Sequence, residues 1–135
     1  MGFGASGSLP GDPKKEFGAY IRERRQVLNM TIRQLAEAIG LSPSYVRDIE
    51  LGNRQAPKKQ LDQLAQVLQI PEDDMFTFYD LAGASRGHQY EDLNPYLEQS
   101  ELARAALRLA RDKKLDDEAW KRIISEISRQ AEDEP

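Results

Sequence analysis

Serine, tyrosine and arginine stand close together in the run Ser42-Pro43-Ser44-Tyr45-Val46-Arg47. The chemistry they offer is recognition. Hydroxyls donate and accept hydrogen bonds, and a guanidinium presents a planar fork of donors that matches paired acceptors or a phosphate. Pro43, Ser44, Tyr45 and Arg47 are the candidates for touching the edge of a flat, acceptor-rich ligand such as a nucleobase, with Tyr45 adding an apolar contact. A second set flanks them. Thr31, Arg33 and Gln34 lie upstream and Asn53, Arg54 and Lys58 downstream, all suited to holding an anion.

Covalent and acid–base chemistry has little to work with. The chain has no cysteine and His88 is its one histidine, so a metal centre would depend on carboxylates, and neither a metal nor a cofactor is expected. Asp116, Asp117 and Glu118 cluster where a helical pattern begins, a place where negative charge complements the helix dipole. No nucleophile or base accompanies them, and His88 is expected in solvent beside Gly87. The run Gly2 to Gly7 spells G-x-G-x-x-G, but no strand precedes it and no helix opens from it, so it reads as a flexible tail. These residues point away from an enzyme.

The elements that must position the recognition residues are helices, because apolar residues recur at three and four and never alternate over a strand's length. The spacing predicts a first helix over 14–28, with Phe17, Ile21 and Leu28 on one stripe and Arg22, Arg24 and Arg25 largely off it. A second opens at Thr31 and stops at Gly40; a third opens at Ser42-Pro43 and stops near Gly52. A fourth covers 58–69, and a short fifth runs from Pro71 through Tyr79. The stretch 82–94 reads as a linker. Two further helices follow, over 100–113 and from Asp116 onward. Leu102, Ala106, Leu109 and Ala110 line one face of the former, and Trp120, Ile123, Ile124 and Ile127 line the latter.

The expected organisation is therefore all-α. A disordered leader (1–13) precedes a five-helix domain (14–81), the linker (82–94), a two-helix C-terminal extension (95–131) and an acidic tail (132–135). The chain has 135 residues and a net charge of -4, divided unevenly. Residues 1–70 carry ten basic against seven acidic side chains, while residues 71–135 carry nine against sixteen. A basic half is drawn to phosphate and an acidic half is held off it. No apolar run is long enough for a bilayer, the leader lacks the features of a secretory signal, and the lack of cysteine fits a reducing cytoplasm.

The segment MTIRQLAEAIGLSPSYVRDIELGNR, Met30 to Arg54, resembles the phage repressor and Cro-like helix-turn-helix group, the XRE family. The resemblance rests on the Arg25 to Leu28 end of the first helix, on Thr31, Leu35 and Ala36, on Gly40-Leu41-Ser42, and on Val46, Ile49-Glu50, Gly52 and Arg54. It extends from Phe17 to about Leu81, the Leu61 to Phe76 stretch looking like the family's fourth and fifth helices. Members often carry glutamine directly after the Thr or Ser that opens the second helix; Ile32 stands there in this chain, so that contact is either missing or moved to Arg33 or Gln34.

The resemblance implies a repressor-like domain that lays its third helix in the major groove of double-stranded DNA. Ser44, Tyr45 and Arg47 would then meet bases, while Thr31, Arg33, Gln34, Asn53, Arg54 and Lys58 would meet phosphates. One such domain discriminates weakly, so a homodimer on a palindromic operator is expected, most simply as a repressor. Leu102, Leu109, Trp120, Ile123, Ile124 and Ile127 are the candidates for the dimer contact. Packing of those residues into an intramolecular core is the plainer alternative. An antitoxin-type chain, whose C-terminal helices bind a protein partner, keeps the same DNA-binding half.

Overall fold

A computed structural model describes residues 11–133, with side chains to residue 130. The Gly2 to Gly7 run, most of the expected leader and the last two residues of the expected tail lie outside the described residues. Every regular element described is helical: α1 Pro13–Val27, α2 Ile32–Ile39, α3 Pro43–Leu51, α4 Leu61–Val67, α5 Met75–Ser85, α6 Asn94–Gln99, α7 Glu101–Asp112 and α8 Asp117–Asp133. Single 3-10 turns at Lys58–Gln60, Glu72–Asp74 and Glu91–Leu93 lead into α4, α5 and α6. The chain divides into two compact units between Leu93 and Asn94, each described by itself.

In the first unit the apolar stripes converge on one core. Phe17 and Ile21 of α1, Leu35 and Ile39 of α2, Val46 and Ile49 of α3, Leu64 and Leu68 at α4 and Phe78 of α5 are all buried together. Phe78 stands at its centre, its ring 5.8 Å from that of Phe17 and edge-on to Tyr79. Two side chains tie the outer helices in. Arg24 of α1 donates to the Leu68 and Gln69 carbonyls at the end of α4, at 3.0 and 2.9 Å, and Gln63 donates to the Ala38 carbonyl at 2.8 Å.

Helix ends differ from expectation in three places. The first helix begins at Pro13, not Lys14, because Asp12 caps it by accepting from the Lys14 amide at 3.0 Å. Residues 12 and 13 thus belong to the domain, not to a leader. The fourth element is a 3-10 turn over Lys58–Gln60 before α4 proper. The fifth helix starts at Met75 and runs to Ser85, into the stretch read as a linker, with Ala82, Gly83 and Ser85 buried.

Gly83 misleads in the sequence because its role is packing. A Cβ there would meet the Tyr90 ring at 2.2 Å. After α5 the chain turns back at Gly87 and His88, and residues 86–93 lie against the domain. Arg86 donates to the Ala56 carbonyl at 2.7 Å, and Glu91 pairs with Lys58 at 3.2 Å. His88 is exposed, as expected, with its Nδ1 3.2 Å from the Tyr90 hydroxyl.

The second unit holds three helices, not two. The extra one, α6, follows Asn94-Pro95, a pair that reads as a turn although proline is tolerated in a helix's first turn. Arg104 of α7 joins the two by donating to the Leu97 and Glu98 carbonyls at 2.6 and 3.0 Å. Ser100 and Asp116 cap α7 and α8, each accepting from the amide three residues on. Glu132 and Asp133, read as tail, are the last residues of α8. Among the described side chains of this unit only Ala110 is buried. Leu102, Leu109 and Ile127 are 82%, 59% and 63% exposed, so Leu102 and Leu109 seal no core within this unit, while Trp120 is half-buried.

Candidate nucleic-acid interface

Local chemistry fixes the joint between α2 and α3. Thr31 and Gln34 form a reciprocal cap at the start of α2: Thr31 Oγ1 accepts from the Gln34 amide at 3.0 Å and Gln34 Oε1 accepts from the Thr31 amide at 2.8 Å. The first-turn amides of Ile32 and Arg33 have no partner within the helix and lie at its positive end. Gly40, at φ 74°, ends α2 in the left-handed region, and the Leu41 amide donates to the Ala36 carbonyl at 3.0 Å. Two residues later Ser42 starts α3 by accepting from the Tyr45 amide at 3.1 Å, with Pro43 in the first position.

The angle of α3 is set from beneath by α1. Gly18 lets the two backbones touch: a Cβ there would come within 2.3 Å of the Ile49 carbonyl oxygen. Beside it Arg25 makes a two-pronged bond to Glu50, Nε to Oε2 at 2.6 Å and Nη2 to Oε1 at 2.9 Å, while its Nη1 donates to the Met30 carbonyl at 2.8 Å. Both side chains are nearly buried, 11% and 4% exposed. The bond to Glu50 raises the Arg25 pKa further above its ordinary value, against a smaller opposing effect of burial. Gly52 then closes α3 at φ 81°, where a Cβ would also press on the Lys15 backbone at 2.9 Å.

On this support α3 buries Val46 and Ile49 and leaves Pro43, Ser44 and Arg47 exposed. Tyr45 is half-buried against the core, its hydroxyl 3.4 Å from the Gln55 carbonyl, and the Arg54 guanidinium lies over its ring at 4.3 Å from the centroid. Arg33, Asn53 and Lys58 are exposed around this face, Lys58 engaged by Glu91. Gln34 is exposed as well, although its carbonyl oxygen is committed to the cap. Ile32, in the place where glutamine is common, is half-buried and packs against the core.

Sequence reasoning passed over Arg22. It lines a small cleft between α1, α2 and α3 together with Arg25, Ile32, Arg47, Glu50 and Leu51. The signal was its place off the apolar stripe of the first helix; what it faces depends on how α1 crosses α3. Of the expected dimer residues, Leu102, Leu109, Ile123, Ile124 and Ile127 are exposed and Trp120 is half-buried, all within the second unit. Among the described residues no group of side chains could hold a metal ion, and no helix is long and apolar enough to cross a membrane.

Comparison with known proteins agrees with this geometry. The family model described as Helix-turn-helix matches residues 21–75. An uncharacterized HTH-type transcriptional regulator of Mycobacterium tuberculosis is 29% identical over 75 residues, covering 56% of this chain and 54% of the relative. RghRB, an uncharacterized HTH-type transcriptional regulator of Bacillus subtilis, is 37% identical over 60 residues, covering 44% of this chain and 43% of its own. The chain thus spans about half the length of the curated relatives it matches. A crystal structure of the clp gene regulator ClgR from Corynebacterium glutamicum is 28% identical, covering 70% of this chain and 98% of that one with a TM-score of 0.46. With the capped α2, the tight turn and the exposed α3 in the same stretch, residues 21–75 carry a helix-turn-helix of the XRE type.

Proposed function

We propose that the chain is a transcription regulator that binds double-stranded DNA through α3 and acts as a homodimer on a palindromic operator, most simply as a repressor in the cytoplasm. One observation carries the reading: Pro43, Ser44 and Arg47 stand exposed on a helix whose opposite face, Val46 and Ile49, is anchored in the core. Those three meet base edges, Arg47 through its donor fork. Phosphates fall to Thr31, Arg33 and the free amides at the start of α2, and to Asn53, Arg54 and Lys58 in the loop after α3.

The dimer follows from magnitude. Each well-made base contact discriminates by about 1 to 3 kcal/mol, and the few side chains α3 exposes are too few to select one site in a genome. Two copies on half-sites about 10 bp apart, or a multiple of that, combine their contacts. Leu102 and Leu109 of α7 and Ile124 and Ile127 of α8 are exposed within their own unit, and ion pairs such as Glu118–Lys121 and Glu126–Arg129 leave α8 with both signs of charge, which suits a second copy.

Selection of bound sequences from random duplex DNA tests the reading. A two-fold symmetric consensus is expected; an asymmetric site overturns the dimer, and no enrichment at low salt overturns DNA binding. Log affinity should fall with log salt, and Arg54→Ala should flatten that slope by about one unit. An unchanged slope removes Arg54 from the phosphate set.

A further inference from the structure

Tyr45 sits on the first turn of α3, among residues that face the ligand, yet its surroundings differ from those of Ser44 and Arg47. One face of its ring is covered by the Arg54 guanidinium at 4.3 Å. The ring also packs against the core, and its hydroxyl approaches the Gln55 carbonyl at 3.4 Å. The loop that carries Arg54 is brought back onto the ring by the left-handed Gly52 and by the Asn53 amide, which donates to the Asp48 carbonyl at 2.9 Å. Arg54 forms no ion pair with any described residue, so none of them neutralises its charge.

We propose that Tyr45 is a positioning residue: its ring is the platform that holds Arg54 ready for a backbone phosphate, and base reading is left to its neighbours. This rests on the DNA-binding reading and assigns a role within that interface. A cation over an aromatic face is held electrostatically without losing its own charge, and a long side chain fixed before binding loses less freedom when the phosphate arrives. The platform acts on affinity and on its salt dependence. It leaves the preferred sequence alone.

The test uses the full chain and two duplexes, the selected consensus and a scrambled sequence of equal length, with dissociation constants measured against sodium chloride concentration. Tyr45→Phe keeps the ring and is expected to match the parent in affinity and slope. Tyr45→Leu keeps apolar bulk without the ring; it is expected to bind both duplexes about two- to fivefold more weakly, with a shallower salt slope and an unchanged consensus. Joined to Arg54→Ala, Tyr45→Leu should add no further loss. Comparing Phe with Leu keeps the test valid even if Tyr45→Ala proves too unstable to purify.

Three results overturn the proposal: a shifted consensus in Tyr45→Leu, additive losses in the double variant, or equal slopes for the Phe and Leu variants. Failure of the parent to bind either duplex at low salt sinks the DNA-binding reading itself, which separates the two.

Discussion

Arg25 and Glu50 form a nearly dry, two-pronged ion pair beneath the recognition helix. Such a pair gains little over well-packed apolar residues, since desolvating two charges costs about what their attraction returns. Breaking it is another matter. Glu50→Ala strands a guanidinium with only the Met30 carbonyl for company, and a loss of about 3 to 5 kcal/mol in denaturant unfolding is expected. Replacing both residues, as Arg25→Met with Glu50→Leu, should recover most of that loss. If the single variant costs no more than a surface substitution, the pair does not hold α1 to α3.

Gly18 makes the same joint from the other side. Gly18→Ala drives a methyl into the Ile49 and Glu50 carbonyls, so either α3 moves or the domain loses stability. The expected outcome is a lowered melting temperature together with weaker DNA binding, read by circular dichroism and by titration of the same preparation. A variant as stable and as tight as the parent contradicts the close approach.

At the scale of elements, the joint between α2 and α3 was legible because its signals are local. Thr31, Gly40, Ser42-Pro43 and Gly52 each act within a few residues, so their types alone place two helix starts and two stops. What joins distant segments was not legible. Arg25 and Glu50 are 25 residues apart, and nothing in the types of Gly18 or Arg22 says which helix they will face. The strap over 86–93 was hidden for the opposite reason: Gly83, Gly87 and Asn94-Pro95 carry turn signals, yet Gly83 is a packing site within α5 and Asn94-Pro95 opens α6.

That strap touches the segment after α3 at two points, the Ala56 carbonyl and Lys58. If Lys58 meets a phosphate, Glu91 competes for the same ammonium. Glu91→Gln removes the competitor and should tighten binding at low salt by about two- to fivefold, the value of an exposed ion pair, while steepening the salt slope. Binding that is unchanged or weaker separates Lys58 from the interface.

For the whole molecule, the division of charge does not follow the division of structure. The first unit, through Leu93, carries eleven basic and thirteen acidic residues, and the second carries eight and ten. Each unit therefore has the same small excess of acid, and in the first unit acidic residues gather after α3 and its loop, at Glu72, Asp73, Asp74, Asp80, Glu91 and Asp92. Burial, followed by the neighbouring Asp80 and Asp62, raises the Asp92 pKa, and Tyr79 is raised by burial and by its 2.5 Å bond to Asp62. On the proposed reading, attraction to DNA depends on the cations around α3, so single charge changes there should be measurable against a net negative chain.

The second unit poses a different problem of balance. Three helices with one buried alanine among the described side chains cannot repay the entropy of their own ordering, so α7 and α8 need apolar cover from elsewhere. If a second copy supplies it, Ile124→Glu with Ile127→Glu buries two charges in the contact and should convert a dimer to a monomer in sedimentation equilibrium. Those substitutions lie outside the DNA-binding unit, so an isolated half-site should be bound as before, while the advantage of the full palindrome over the half-site disappears. A variant that stays dimeric places the contact on another surface; one that becomes monomeric yet keeps the palindrome's advantage separates dimerisation from operator choice.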